Sequence, residues 1–149
     1  MNVAPARSAT LPVTRAGDGM GSATGYQCQG CGTRFEASEG GGFFFDLLHC
    51  DRCGAAQSVA HCDMGDVHLA FIKGLKMPYA MARAEMDGEI QRTFPGKPLT
   101  ETAYCAAVER QLPPCPCGGR MTCAAAPRCP HCGSTQERWT PTGDQVWYD

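Results

Sequence analysis

The sequence has no long apolar segment. No stretch reaches the about 18 to 20 consecutive apolar residues that a membrane-spanning helix needs. Residues 1–25 also lack the apolar core of a secretory signal peptide. We therefore expect a cytoplasmic location and no membrane partner.

Aliphatic residues and positive charge are also scarce. Glycine and proline number 18 and 11 among 149 residues, a composition that does not favour one large hydrophobic core. The 13 lysines and arginines do not exceed the 15 acidic residues. The absence of excess positive charge therefore does not favour a nucleic acid as a partner, although such a partner stays possible.

No common catalytic motif is present. The sequence contains no G-x-S-x-G, no phosphate-binding loop and no H-E-x-x-H. It also has no convincing pair of acidic residues for acid-base chemistry. We expect the chain not to be an enzyme.

Cysteine, in contrast, is abundant, with 11 residues. Disulfides do not persist in a reducing compartment, and an odd number of cysteines cannot pair completely, so close cysteine pairs favour metal ligation. Four such pairs are each followed directly by a glycine, here called the four knuckles. They are Cys28/Cys31, Cys50/Cys53, Cys115/Cys117 and Cys129/Cys132. We expect the following glycines, Gly32, Gly54, Gly118 and Gly133, to adopt positive φ, which lets each turn fold back on its thiolates.

Zinc in structural sites takes four protein ligands in a tetrahedron. Joining consecutive knuckles predicts two sites, which are Cys28, Cys31, Cys50 and Cys53, and Cys115, Cys117, Cys129 and Cys132. We expect two zinc ions per chain, with iron as the alternative because four thiolates suit both metals. Such closed sites leave no position for substrate, so their expected role is structural.

The short Cys115 to Cys117 spacing leaves open whether Cys123 replaces one ligand. Cys123 is otherwise expected to pack on a strand, and Cys105 to pack as a small hydrophobe on a helix. A further group of side chains is either an additional metal or redox centre or an ordinary helix start. Its members are His61, Cys62, Asp66 and His68. For His49 and His131 we expect supporting or surface roles rather than ligation.

Patterning divides the chain into four segments. Residues 1–25 are expected to be a disordered extension, residues 26–65 a first zinc ribbon, residues 66–112 a helical connector, and residues 113–149 a second ribbon with an aromatic tail. The first predicted helix has Asp66 as its N-cap, and the other two begin after Pro78 and at Thr100. The predicted fold is thus a small metal-stabilised α+β protein: two four-cysteine ribbons of short β-hairpins joined by about three short helices. The tail either docks on the protein or serves as an interaction peptide.

The knuckle sequences C-x-x-C-G and C-P-x-C-G resemble those of the zinc-ribbon, or rubredoxin-like, superfamily. Two longer sequence segments, residues 41–50 and 127–133, are similar to segments of poorly characterised bacterial proteins with two zinc ribbons. The resemblance implies a fold and a set of metal ligands rather than an activity.

Three functions are compatible with these features. We favour a zinc-stabilised adaptor that presents ribbon edges and aromatic residues to a protein partner, with an uncovered strand at Phe43–Phe45 and the region of Trp139 and Trp147 as candidate surfaces. An unpaired ribbon strand also allows a homo-oligomer. One alternative is a nucleic-acid-binding ribbon of the transcription or translation machinery, which requires Arg120, Arg128 and Arg138 to gather on one face. The other is a rubredoxin-like iron protein that transfers electrons.

Overall fold

The computed structural model describes residues 21–77 and 81–148. In this part the chain forms two three-stranded antiparallel sheets and four α-helices. The strands are β1 (Gly21–Cys28), β2 (Arg34–Glu39), β3 (Phe45–Cys50), β4 (Ala56–Ala60), β5 (Met121–Thr122) and β6 (Trp139–Tyr148). The helices are α1 (His61–Met64), α2 (Asp66–Gly74), α3 (Ala84–Thr93) and α4 (Glu101–Gln111).

The two sheets share one topology. One has the order β2-β1-β6 and the other β4-β3-β5. In each, a hairpin is extended by a strand from the C-terminal part of the chain, which pairs with the outer side of the hairpin's first strand. We call β1, β2 and β6 with their connecting turns the outer unit, and β3, β4, β5 and the four helices the inner unit. The inner unit is inserted in the chain between two parts of the outer unit.

The two units do not coincide with the four segments predicted from sequence. Residues 21–25, predicted to belong to the disordered extension, form the first five of the eight residues of β1; residues 1–20 lie outside the described part. The segment predicted to form a second ribbon contributes one strand to each sheet. Within this segment a 3₁₀ turn, Gln136–Arg138, leads directly into β6.

The helices build the core of the inner unit against β3. Phe71 and Ile72 of α2 and Val108 of α4 are buried in one cluster with Leu48 of β3. The predicted start of α4 is confirmed, because the Thr100 hydroxyl accepts a hydrogen bond from the amide of Ala103 at 3.2 Å. Helix α2 begins at Asp66, although the sequence suggested this residue as the N-cap before the helix; Gly65, with φ of 53°, takes that position. The predicted middle helix corresponds to α3, and Pro78 and Tyr79 lie outside the described residues.

The core of the outer unit is small and aromatic. The Trp139 ring lies edge-on to Phe35, with ring centroids 4.8 Å apart, and 5.2 Å from the ring of Tyr26. Trp139 is only 8% exposed, so the expectation that its region is open to a partner was wrong for this residue. A single tryptophan supplies much of the apolar area of this small core.

The C-terminal tail docks on the protein, which is the first of the two roles considered from sequence. It forms most of β6, where Tyr148 pairs with Gly21 of β1. The Tyr148 ring stacks on Phe45 at 5.9 Å, and its hydroxyl donates to the Glu39 carbonyl at 3.2 Å. Phe45 begins β3, which is a central strand, so the expected uncovered strand at Phe43–Phe45 is reduced to one exposed side chain, that of Phe44.

Candidate metal centres

Four cysteines of the inner unit converge at the end of its sheet. Cys50 ends β3, Cys53 lies in the turn to β4, and Cys115 and Cys117 lie in the turn before β5. The Sγ atoms of Cys50 and Cys117 are 3.5 Å apart, and those of Cys53 and Cys115 are 3.7 Å apart. Four thiolates at about 2.3 Å from a shared ion lie about 3.8 Å from one another, so these separations suit a tetrahedral metal site.

The outer unit repeats this arrangement. Cys28 ends β1, Cys31 lies in the turn to β2, and Cys129 and Cys132 lie in the turn that precedes β6. The Sγ separations are 3.5 Å for Cys28 and Cys132 and 3.7 Å for Cys31 and Cys129. In both groups two thiols are buried, one is half-buried and one is exposed.

The grouping of the knuckles differs from the one predicted. The prediction joins the first knuckle with the second and the third with the fourth, whereas the structure joins the first with the fourth and the second with the third. The strand register accounts for this, since Cys28 pairs with Trp139 across β1 and β6, and Cys50 pairs with Met121 across β3 and β5. Each sheet therefore brings two distant turns to the same end. Cys123, a possible substitute ligand, belongs to neither group.

The local geometry of the knuckles is as expected. Gly32, Gly54, Gly118 and Gly133 have φ between 72° and 85°. Each of these glycines donates its amide hydrogen to the carbonyl of the first cysteine of its knuckle, at 2.8 to 3.0 Å. This hydrogen bond closes the tight turn that sets the two thiols side by side.

Polar neighbours stabilise thiolate charge in the outer group. The Ser134 hydroxyl lies 3.0 Å from the Cys28 sulfur and is the main cause of the lowered Cys28 pKa, which is about 6. The indole N–H of Trp139 donates to the same hydroxyl at 3.3 Å. Trp139 thus connects the aromatic core to the thiol cluster through Ser134, and such a contact behind a ligand fixes the ligand's orientation.

Two thiols of the inner group differ strongly in pKa. The amide of Cys53 lowers the pKa of Cys50 to about 6. At Cys115 the amide of Cys117 favours the thiolate, but burial and the three neighbouring thiols outweigh it and raise the pKa to about 12. A bound divalent cation would replace these retained protons, because thiolates that repel one another are neutralised by the cation. Both groups can therefore hold a metal ion.

Comparison with known proteins places the chain in a family. Residues 24–138 match the model of a family described as Domain of unknown function (DUF8255). The chain belongs to this family. The DUF8255 match spans all four knuckles, so both cysteine groups lie within it. No curated protein and no solved structure matched the chain.

The predicted accessory group around α1 is not a ligand cluster. Cys62 and Asp66 are exposed, whereas His61 and His68 are buried and stack at 4.0 Å between ring centroids. In the described part of this DUF8255 chain, the two four-cysteine groups are the sets of residues arranged to hold a metal. His49 is buried, with its Nε2 2.9 Å from the Ser38 carbonyl, and His131 is exposed.

His61 and His68 belong to a polar cluster that sequence reasoning missed. Tyr104 of α4 donates its hydroxyl hydrogen to Oδ2 of Asp46, and His61 Nε2 lies 3.4 Å from Oδ1 of the same carboxyl group. His68 Nδ1 lies 3.5 Å from the Tyr104 hydroxyl. Burial, and then the charges of His61 and Arg83, lower the pKa of His68 to about 4. The available sequence signal was the apolar setting of Asp46, between Phe45 and Leu47.

The three arginines that nucleic-acid binding requires are only partly gathered. Arg120 and Arg128 line one cleft, whereas Arg138 lines a different one. Arg120 also forms an ion pair with Asp51, at 3.5 Å between Nε and Oδ2. Of the helices in residues 21–77 and 81–148, none is long and apolar enough to cross a membrane.

Proposed function

We propose that both cysteine groups bind zinc and that the chain is a zinc-stabilised adaptor for a protein partner, without catalysis of its own. In this proposal each three-stranded unit is a zinc ribbon, and one ribbon is inserted into the other. Four thiolates per ion leave no coordination position for water or substrate, which supports a structural role for the metal. Iron, the alternative occupant, would give the protein a visible colour, whereas zinc would leave it colourless.

The observation that carries the adaptor proposal is the outer edge of β6, which pairs with no strand of residues 21–77 and 81–148. This strand pairs with β1 on one side and ends the order β2-β1-β6. The side chains of Val146 and Trp147 near its end are 60% and 61% exposed. An edge strand offers unpaired amide and carbonyl groups to a strand of another protein, and exposed aromatic side chains add contact area.

The middle of the strand limits where such pairing can occur. Pro141 has no amide hydrogen, and Gly143 has φ of 97°, which interrupts the extended geometry. A partner strand would therefore pair with residues 144–148, where Val146 and Trp147 lie on opposite faces of the sheet. We infer that the partner contributes a short extended segment with apolar side chains on both faces.

Charge does not favour nucleic acid as the partner. The formal net charge is −2 without metal. A zinc ion with four thiolates adds about −2 relative to four neutral thiols, so loading both groups makes the chain more acidic. Repulsion from a phosphate backbone would then increase rather than decrease on metal binding.

The first experiment measures metal content and oligomeric state together. Native mass spectrometry of protein purified without added metal is expected to show two zinc ions per chain. A second chain in the assembly would show that a copy of this protein is a partner, and the variants below would test whether it occupies the β6 edge. Iron, or fewer than two ions, would contradict the zinc assignment.

The second experiment tests the edge itself. Val146→Lys and Trp147→Lys variants are compared with the wild-type protein for capture of partners from a lysate of cells that encode the chain. The control is Met81→Lys, since Met81 is 85% exposed and lies outside the sheets. We expect loss of the same captured protein in the two β6 variants only, with metal content unchanged. Equal capture by all variants would rule out β6 as the docking edge.

A further inference from the structure

Two cysteines outside both metal groups lie against each other. Cys105 is on α4, and Cys123 directly follows β5. The side chain of Cys105 hydrogen-bonds that of Cys123. Glu109, one helical turn beyond Cys105 and on the same face of α4, accepts a hydrogen bond from the amide of Cys123 at 2.9 Å. Two independent contacts therefore hold Cys123 against the face of α4 that carries Cys105.

The surroundings of the pair suit a reaction with small reagents. Both residues are half-buried, and Cys123 packs at the border of the inner core. A cleft between α4 and β5 is lined by Ala106, the residue that follows Cys105, and by Glu109 and Met121. Because neither cysteine is fully buried, a small oxidant can approach the pair. The exposed Cys62, in contrast, is on the short helix α1 and has Asp63 as its near polar neighbour.

We propose that Cys105 and Cys123 form a redox-active dithiol, which a hydroperoxide converts into an intramolecular disulfide. The contact with Cys105, followed by burial, raises the pKa of Cys123 far above its usual range. Cys123 therefore keeps its proton at pH 7, and we assign the first attack on the peroxide to Cys105.

The reaction has two steps. The Cys105 sulfur attacks one peroxide oxygen, the O–O bond breaks, and the products are a sulfenic acid and hydroxide, which takes up the proton released by the Cys105 thiol. The Cys123 sulfur then attacks the sulfenic sulfur, the S–S bond forms, and the hydroxyl group leaves as water with the Cys123 proton. In total, two thiols lose two electrons to one hydrogen peroxide, giving one disulfide and two waters.

The disulfide would act on the inner metal centre through the chain. The segment between Cys105 and Cys123 contains Cys115 and Cys117, which supply half of the inner group. A covalent bond across this segment removes conformations that carry these ligands away from Cys50 and Cys53. We therefore expect the oxidised protein to release its inner metal ion more slowly than the reduced protein.

The bond can be detected without ambiguity in the full-length, metal-loaded protein. Trypsin cleavage after arginine gives peptide 93–110, with Cys105 as its sole cysteine, and peptide 121–128, with Cys123 as its sole cysteine. The metal ligands Cys115 and Cys117 fall in peptide 111–120. After limited hydrogen peroxide and alkylation, we expect 93–110 joined to 121–128, and separation of the two by a reducing agent.

Two variants separate this reaction from general thiol oxidation. Cys62→Ser should form the link as the wild type does, whereas Cys105→Ser should lose it. Extraction of metal by a chelator should be several-fold slower in oxidised wild type than in reduced wild type, and unchanged by peroxide in Cys105→Ser. The proposal is overturned if peptides 93–110 and 121–128 remain separately alkylated, or if either is joined to 111–120. Equal extraction rates with the link formed would refute its effect on the metal.

Discussion

Gly54 lies directly against the backbone of Arg128. A Cβ atom on residue 54 would fall 2.4 Å from the Arg128 amide nitrogen and 2.6 Å from its Cβ. Gly54 follows the second cysteine of an inner knuckle, and Arg128 precedes Cys129 of the outer group. The two metal centres are therefore packed against each other through this glycine, and the inner knuckle forms part of the support of the outer one.

Gly54→Ala should consequently destabilise the protein more than the same change at another knuckle. Alanine at φ of 75° costs about 1 to 2 kcal/mol, and displacing the Arg128 backbone adds about 1 to 3 kcal/mol. Gly133→Ala is the matched control, because Gly133 has φ of 72° but a Cβ atom there would meet no other atom within 4 Å. The measurement is urea unfolding of the metal-loaded variants. Equal losses of unfolding free energy would show that the contact with Arg128 is unimportant.

The nested topology predicts an order of metal loading. Cys53 and Cys115 of the inner group are 62 positions apart, whereas Cys31 and Cys129 of the outer group are 98 apart. The entire inner unit lies within the longer separation, so a folded inner unit shortens the effective loop that the outer group must close. The inner site should therefore fill first and assist the outer site.

Two single substitutions test this order by native mass spectrometry. Cys53→Ser removes an inner ligand and should abolish the inner metal while also weakening the outer site, leaving fewer than one ion per chain at limiting zinc. Cys132→Ser removes an outer ligand and should leave one ion bound. The order is wrong if Cys53→Ser keeps a full outer ion under conditions in which Cys132→Ser keeps a full inner one.

Sequence patterns predicted local geometry well, because knuckle conformation depends on neighbouring residues. The positive φ of Gly32 follows from the turn that its own cysteines require, and the start of α4 follows from the Thr100 cap. The grouping of the knuckles depends instead on the pairing of β1 with β6. Spacing along the chain holds no information about that pairing, since a short separation and a long one can both be closed by a folded insert.

The buried polar cluster shows a second limit of sequence reasoning. Asp46 occurs within an apolar strand, and its partners Tyr104 and His61 come from two different helices. Predicting their meeting requires the packing of α1 and α4 on β3, which is a tertiary property. By sequence, His61 and His68 are comparable with Cys62 as candidate ligands because all are close together, but the fold directs the two rings inward and the thiol outward.

His68 should make stability fall at mildly acidic pH. Its pKa is about 4 in the folded protein and about 6.5 when unfolded, so the unfolded state binds more protons between these values. Its contribution is complete above pH 6.5 and is lost as the pH falls towards 4. Between pH 8 and pH 5 the loss is about 2 kcal/mol. The unfolding free energy, measured at both pH values in urea, should depend less on pH in His68→Phe than in wild type.

Metal release at low pH affects all variants alike, so the comparison between variants isolates the histidine. His131→Ala serves as the control, because His131 is exposed, and it should keep the pH dependence of the wild-type protein. Identical pH dependence in wild type and His68→Phe would mean that His68 does not resist protonation in the folded state.

Tyr104→Phe should destabilise the inner core although it preserves the ring. Tyr104 is 2% exposed and stacks on Phe71 at 4.3 Å between ring centroids, a contact that phenylalanine keeps. The change removes the hydroxyl that donates to the Asp46 carboxyl group, which is 6% exposed and cannot turn to water. Loss of a partner from such a buried group costs about 2 kcal/mol.

Tyr148→Phe provides the control for this prediction. The Tyr148 hydroxyl donates a hydrogen bond to the Glu39 carbonyl from a half-buried position, so its loss should cost about 1 kcal/mol or less. Urea unfolding followed by circular dichroism gives both values, and a loss for Tyr104→Phe no larger than for Tyr148→Phe would show that Asp46 does not depend on this donor.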